Sequence, residues 1–472
     1  MQIRTVAAAF AELACTARTP FRFGTTTIHS APLLHVRVRV ESVDGRSAVG
    51  AAADLLVPKW FVKDPDRTAE QDQAALRQSA EDAARHCLQH DSARSVFACS
   101  LAMHRDLVSN HAPAATDLLL RGFGPALLER ALLDATCRLA NKSFWSALQC
   151  DLFGTRLEGL LPSLRDVDAR SVLPERVQTS ILLRHTVGML DPLRETDVVA
   201  ETADGEPRSV EGYLRAHRPR WLKVKVGQGL EPDRERLLAL AGLCAELGVE
   251  PGITLDGNEQ FASMADVAEL LDGVAEDPRG RVFLSRLAHV EQPLPRSITF
   301  EEAANRAIDR VRAYAPVVLD EADDVPSSFV RALALGYRGC SIKNCKGVFR
   351  GLANAALARA HGDGAFVCAE DLTNLPLLSL QQDLATMTTL GLAHVERNGH
   401  HYFRGLDHLP AAVAKIAAVH HDDLYETRAD GGVCLRHHDG RIECGSLLGR
   451  GYGCASEPFE ALMAELPFLP LE

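Results

Sequence analysis

A closed (β/α)8 barrel is the fold that the sequence predicts for residues 176–430, on three observations. Short apolar runs recur from about residue 178, helix-like stretches lie between most of them, and charged side chains close successive runs. Strands that alternate with helices form a parallel sheet, and eight of them close most simply as a barrel whose chemistry sits at the strand ends. An open doubly wound sheet is the competing form, but no Gly-rich phosphate loop follows any strand.

In chain order the strand-like runs are "TSILLRHTVG", "RWLKVKVG", "PGITLDGN", "LAHVEQP", "APVVLDE", "YRGCSIKN", "GAFVCAED" and "GLAHVERN". Between them, "DRERLLALAGLCAELG", "PSSFVRALALG" and "VFRGLANAALARAHG" space their apolar residues three to four apart, as amphipathic helices do. In "LKVKVG", alternate residues share a face, so Lys223 and Lys225 point to one side and Leu222, Val224 and Val226 to the other.

The ends of these strands carry the chemistry. Lys225 ends the second, Asp256 the third, Glu291 the fourth, Asp320 the fifth and Lys343 the sixth. The intervals of roughly 23 to 35 residues are each one βα unit. Three carboxylates on neighbouring strands offer an all-oxygen site, which favours Mg2+ over a softer metal. In a ring of eight, the second and sixth strands are opposite, so Lys225 and Lys343 face each other across that ion. Lys223, a second cation beside Lys225, is expected to lower the Lys225 pKa and free it to accept a proton. A carboxylate substrate on the metal then loses its α-proton to one lysine while the ion stabilises the enediolate. The other lysine returns a proton to the opposite face or stands as a cation beside the intermediate.

"KVK", "LDGN", "VEQP", "LDE" and "IKNCKG", in this order on successive strands, resemble the enolase superfamily. The likeness is to the mandelate racemase/muconate lactonising enzyme family, in particular the subgroup with muconate lactonising enzyme, o-succinylbenzoate synthase, N-acylamino acid racemase and the dipeptide epimerases. It covers nearly the whole chain. "PFRFGTTTIHSAPLLHVRVRVESVDGRSAVG" is similar to the opening strands of that family's cap, and "GPALLERALLDATCRLANKSFWSAL" to the helix before its barrel. "HHDGRIECGSLLGRGYG" looks like the segment that returns to the cap. The resemblance therefore implies a TIM barrel with an α+β N-terminal capping domain: cap 1–175, barrel 176–430, returning segment 431–472. It also implies Asp256, Glu291 and Asp320 as Mg2+ ligands, Lys225 and Lys343 as the acid/base pair, Lys223 as the modulating lysine, and a homo-oligomer. The chain departs from the subgroup after Lys343, where Val348 follows Gly347 in place of a Gly-Gly pair, and in the long polar segment 57–125.

Further residues have expected places around the site. Asn258 hydrogen-bonds near the metal, and Glu321 turns away from Asp320 to pair with a lysine. Glu370 and Asp371 follow the seventh strand, where acidic groups suit a substrate ammonium; His400 and His401 follow the eighth. Lys59 and Trp60, in "LLVPKWF", are placed to reach the pocket from the cap as a mobile flap.

Composition narrows the function. The chain has 472 residues, 46% hydrophobic and 24% charged, enough to bury a large core. Its 51 basic residues against 63 acidic give a net charge of −12, which argues against a nucleic-acid partner. No run approaches the roughly 18 apolar residues of a membrane span. Glu12 interrupts the apolar N-terminal stretch, so export is not expected. The 12 cysteines show no CxxC pair and suit a reducing cytoplasm. A small-molecule carboxylate is the expected partner, and racemisation or epimerisation the preferred reaction because it uses both lysines. Cycloisomerisation or β-elimination, which need one base, and a non-catalytic carboxylate-binding barrel are the alternatives.

Overall fold

The computed structural model describes residues 1–24, 26–90, 92–110, 117–199 and 205–471. Three long antiparallel strands open the chain: β1 (Ile3–Phe23), β2 (Thr26–Ser42) and β3 (Ser47–Leu55). β2 is central, with Val36, Val38 and Val40 wholly buried on one face, as the alternation in "HVRVRV" requires. Of the three helices that follow, α1 (Ala69–Leu88) and α3 (Leu118–Leu139) pack against the sheet, and α2 (Val96–Leu107) packs on both of them. The polar segment after residue 57 that departs from the expected cap therefore folds largely as α1 and α2. Thr68 caps α1 by accepting from the Gln71 amide while the Gln71 side chain accepts from the Thr68 amide.

α3 is almost entirely buried, which explains its apolar and small residues. Gly50 lets it lie directly on β3: a Cβ there would sit 2.2 Å from the Ala135 nitrogen. The charges α3 carries are all employed. Arg130 pairs with Asp54 of β3, and Asp134 accepts from the Ala51 and Tyr452 amides. Glu129 accepts from the amides of Val348 and Phe349, at the start of the helix that follows the sixth barrel strand.

The barrel strands are β4 (Ser180–Val187), β5 (Trp221–Lys225), β6 (Gly252–Asp256), β7 (Leu287–Glu291), β8 (Val317–Leu319), β9 (Gly339–Ile342), β10 (Phe366–Ala369) and β11 (His394–Arg397). They pair in parallel in sequence order, and β11 closes on β4 through four residue pairs. Helices Leu230–Leu247, Ser328–Ala334 and Val348–His361 match the three helix-like stretches. Leu222, Val224 and Val226 face outward into the layer between strands and helices, which leaves Lys223 and Lys225 inside. Past the barrel come β12 (Tyr425–Thr427) and β13 (Val433–Leu435), which pair with each other. β14 (Arg441–Glu443) then adds antiparallel to β4, and β15 (Leu469–Pro470) to β1. No described helix is long and apolar enough to cross a membrane.

Candidate active site

The inward positions of the barrel strands converge on a buried cluster of charges at their C-terminal ends. Lys225 Nζ lies 2.6 Å from Asp256 Oδ2, and Lys343 Nζ 2.6 Å from Asp320 Oδ2. β5 and β9 are four places apart in the ring of eight, so the two lysines approach from opposite walls. Between them Glu291 is wholly buried, its Oε2 2.7 Å from the Lys223 ammonium and its Oε1 without a hydrogen-bond donor. Burial, with Asp256 and Glu370 close by, raises its pKa well above the usual carboxylate range.

Lys223 does not behave as expected. Its ammonium lies 3.0 Å from Asp256, 2.7 Å from Glu291, 2.8 Å from Glu370 and 2.9 Å from Glu396. Burial opposes its charge, but these four carboxylates outweigh burial and hold its pKa well above the ordinary lysine value. A cation so fully compensated is not an uncancelled neighbour that drives a proton off Lys225; it is the counter-charge that lets four carboxylates share the barrel interior. Lys343 is likewise held protonated, Asp320, Glu291 and Glu321 together outweighing the cost of burial. Asp256 falls to about 2, because Lys223 and Lys225 overcome the upward push of burial.

The loops that carry these groups are braced. Gln292 Oε1 accepts from the Asp320 and Ala322 amides, tying the loop after β7 to that after β8. Lys346 donates to Ser341 at 2.8 Å and lies 3.2 Å from Asp323, while Ser341 donates to Asp320. Asn258, Glu259 and Gln292 hold left-handed backbone at φ 41°, 68° and 31°, a cost typical of functional loops.

Several expected residues are where the sequence placed them. Asn258 donates from its backbone to Asp256 at 2.9 Å and from its amide to Glu321 at 3.2 Å, and its Oδ1 has no donor. Glu321 points to Asn258 and to Lys63, 4.0 Å away, and burial lifts it to about 7. Trp60 reaches the site, with Lys343 Nζ 4.6 Å from its ring centroid. Phe21, Phe23, Val57 and Trp60 of the cap roof a narrow opening of about 20 Å3 over Lys225, Lys343 and Glu396.

Others are not. Lys59 turns away, donating to the carbonyls of Asp64 and Arg67 and pairing with Asp72 at 3.6 Å, so it stiffens its own loop. His401 lies outside the barrel wall, bonded to the Tyr213 hydroxyl at 2.9 Å, and His400 meets His185 there. Glu370 is consumed by Arg184 and Lys223. Asp371 lines the opening, but its oxygens accept from the Asn374 and Asn398 amides, so it fixes two loops and is not free for a substrate ammonium.

Four residues went unread in the sequence. Glu396 holds Thr186, Lys223 and the Asp371 amide; a carboxylate closing the apolar run in "LAHVERN" is its signal. Lys346 is the second lysine of "IKNCKG". Lys63 and Arg296 sit in loops with no local pattern to reveal them.

A divalent cation can be tested against these donors. Buried, all-oxygen groups from Asp256, Glu291 and Asp320, with Glu291 Oε1 lacking a donor, suit a hard ion. The three are not gathered tightly, since Asp256 and Asp320 are drawn onto lysines. Among the described residues, the trio whose ligand atoms fall within 4.8 Å of one another is His289, Cys368 and Glu370, a layer deeper. Arg184 and Lys223 already occupy Glu370 there, and a further cation would face both.

No protein-family model and no curated protein matches the chain. Solved structures do. An enolase from Bradyrhizobium complexed with magnesium and mandelic acid superposes with TM-score 0.61 at 18% identity, covering 99% of both chains. A muconate lactonizing enzyme from Pseudomonas fluorescens complexed with muconolactone gives 0.61 at 14%, covering 97% of this chain and 99% of its own. A dipeptide epimerase from Cytophaga hutchinsonii, complexed with Mg and D-Ala-L-Val, gives 0.57 at 13% over the whole of both chains. At these identities the likeness is one of fold: a capped barrel of the kind found in the enolase superfamily.

Proposed function

We propose that this chain, with a fold shared by enolase-superfamily enzymes, is itself a Mg2+-dependent enzyme that removes the proton next to a carboxylate, and that it racemises or epimerises its substrate. The observation that supports this best is the pair of buried lysines on opposite barrel walls, Lys225 at Asp256 and Lys343 at Asp320, with the wholly buried Glu291 between them. Asp256, Glu291 and Asp320 would hold the ion, whose charge stabilises an enediolate. Lys225 and Lys343 each reach one face of the α-carbon. The lysine that donates must be charged, the state in which Asp320 holds Lys343; its opposite number must be neutral to accept. Lys223 helps to hold Asp256 ionised and draws Glu291 close, and the cap aromatics exclude water. Two opposed bases favour 1,1-proton transfer over cyclisation or elimination, which need one.

The test is proton NMR in D2O with Mg2+, on N-acyl amino acids, dipeptides, sugar acids and cyclohexadienyl carboxylates. Loss of the α-proton signal with inversion is the expected result. Exchange with a new product would move the assignment to elimination or cyclisation. Calorimetric Mg2+ binding that is unchanged in Asp256→Asn would sink the metal assignment.

A further inference from the structure

One side chain ties the cap loop to both loops that carry proposed metal ligands. Arg296 lies five residues beyond Glu291, and Glu259 three beyond Asp256. The Arg296 guanidinium forks onto Glu259, Nε to Oε1 at 2.9 Å and Nη2 to Oε2 at 2.8 Å. Two of its remaining protons go to cap carbonyls: Nη2 to Trp60 O at 2.8 Å and Nη1 to Phe61 O at 2.9 Å. Lys63, from the same cap loop, reaches back to Glu259 at 2.8 Å and the Asn258 carbonyl at 2.9 Å. Behind the loop, Phe61 packs edge-on against Phe123 of α3, with ring centroids 5.2 Å apart.

The consequence is at Trp60. With its own carbonyl and that of Phe61 pinned, Trp60 is 4% exposed and its ring lies under the Lys343 ammonium. An aromatic face near a buried cation favours the charged form and shuts out water. Locally the ring meets Phe61 edge-on at 4.8 Å, and the ties from this loop to the barrel come through Arg296 and Lys63. We propose that Arg296, aligned by Glu259, is a positioning residue that seats Trp60 against Lys343, so that cap closure depends on the loops bearing Asp256 and Glu291. The seating stands on the contacts alone, and its bearing on proton transfer rests on the function proposed above. A lysine cannot replace this fork, since one ammonium does not span two carbonyls and a bidentate carboxylate.

Acrylamide quenching of tryptophan fluorescence in the full-length protein tests it without a substrate. Trp60→Phe identifies the Trp60 component among the three tryptophans. Arg296→Met should raise the exposed fraction of that component about tenfold, equivalent to about 1.4 kcal/mol in the opening equilibrium. Arg296→Lys should fall between, and Glu259→Gln should move it the same way while preserving the guanidinium. Far-UV circular dichroism establishes that each variant is folded, and Glu259→Gln decides the matter if Arg296→Met does not fold. Folded variants that shield Trp60 as the wild type does would overturn the proposal. An α-proton exchange assay separates the two layers: Trp60 freed by Arg296→Met with exchange undiminished overturns the link to catalysis. Absence of exchange in the wild type counts against the proposed function, and the fluorescence outcome still decides the seating.

Discussion

Replacing Lys223 by methionine removes the one cation that touches four carboxylates. Its contacts run from 2.7 to 3.0 Å, and the side chain is wholly buried. At an effective dielectric of about 20, one such pair is worth roughly 6 kcal/mol gross. Desolvation consumes much of the sum, and breaking a buried pair by deleting one partner costs about 3–5 kcal/mol net. Methionine preserves the apolar stem, so the loss is one of charge. Urea unfolding of the metal-free protein at pH 7 should therefore show a deficit of about that size. The orphaned carboxylates must also recover charge from elsewhere, so folding should take up about one more proton than in the wild type. Mg2+ should restore more stability to the variant than it adds to the wild type, because the ion then replaces a missing counter-charge. Equal stability of variant and wild type in chelator, with no proton uptake, would refute the view that Lys223 neutralises this cluster.

Lys225→Ala and Lys343→Ala should each lower α-proton exchange by at least about 10²-fold, the size of a lost general acid or base, with the circular dichroism spectrum unchanged; wild-type rates in either would end the two-base mechanism. Stability should fall on acidification from pH 6.5, because burial holds His35 and His104 down to about 3. Above 6.5 both states are neutral and nothing is gained or lost; below it the unfolded chain binds protons that the folded chain refuses, at up to about 1.4 kcal/mol per pH unit per histidine until pH falls to about 3. His104→Gln should lose less stability than the wild type between pH 7 and 5 in urea titrations. Gly50→Ala should destabilise by about 1–3 kcal/mol, since its Cβ would meet the α3 backbone; an unchanged urea midpoint would contradict that packing.

The sequence by itself determined the elements and the inventory of the site. A period of two in "WLKVK" fixes which side chains point into a barrel, and a period near 3.6 in "VFRGLANAALARAH" fixes a helix that covers it. Both are local, so Asp256, Glu291, Asp320, Lys225 and Lys343 could be placed at strand ends from spacing alone. The tertiary structure decided how those charges are paired. Whether Lys223 faces one lysine or four carboxylates depends on Glu370 and Glu396, which lie 147 and 173 residues away and arrive only because β11 closes on β4. The reach of Arg296 across 236 residues to Trp60 is of the same kind, as is the turning of His401 away from the site. Periodicity reports the direction of a side chain along one element. Electrostatic sign and partner are set by distance between elements, and that distance exists only once the barrel is closed and capped.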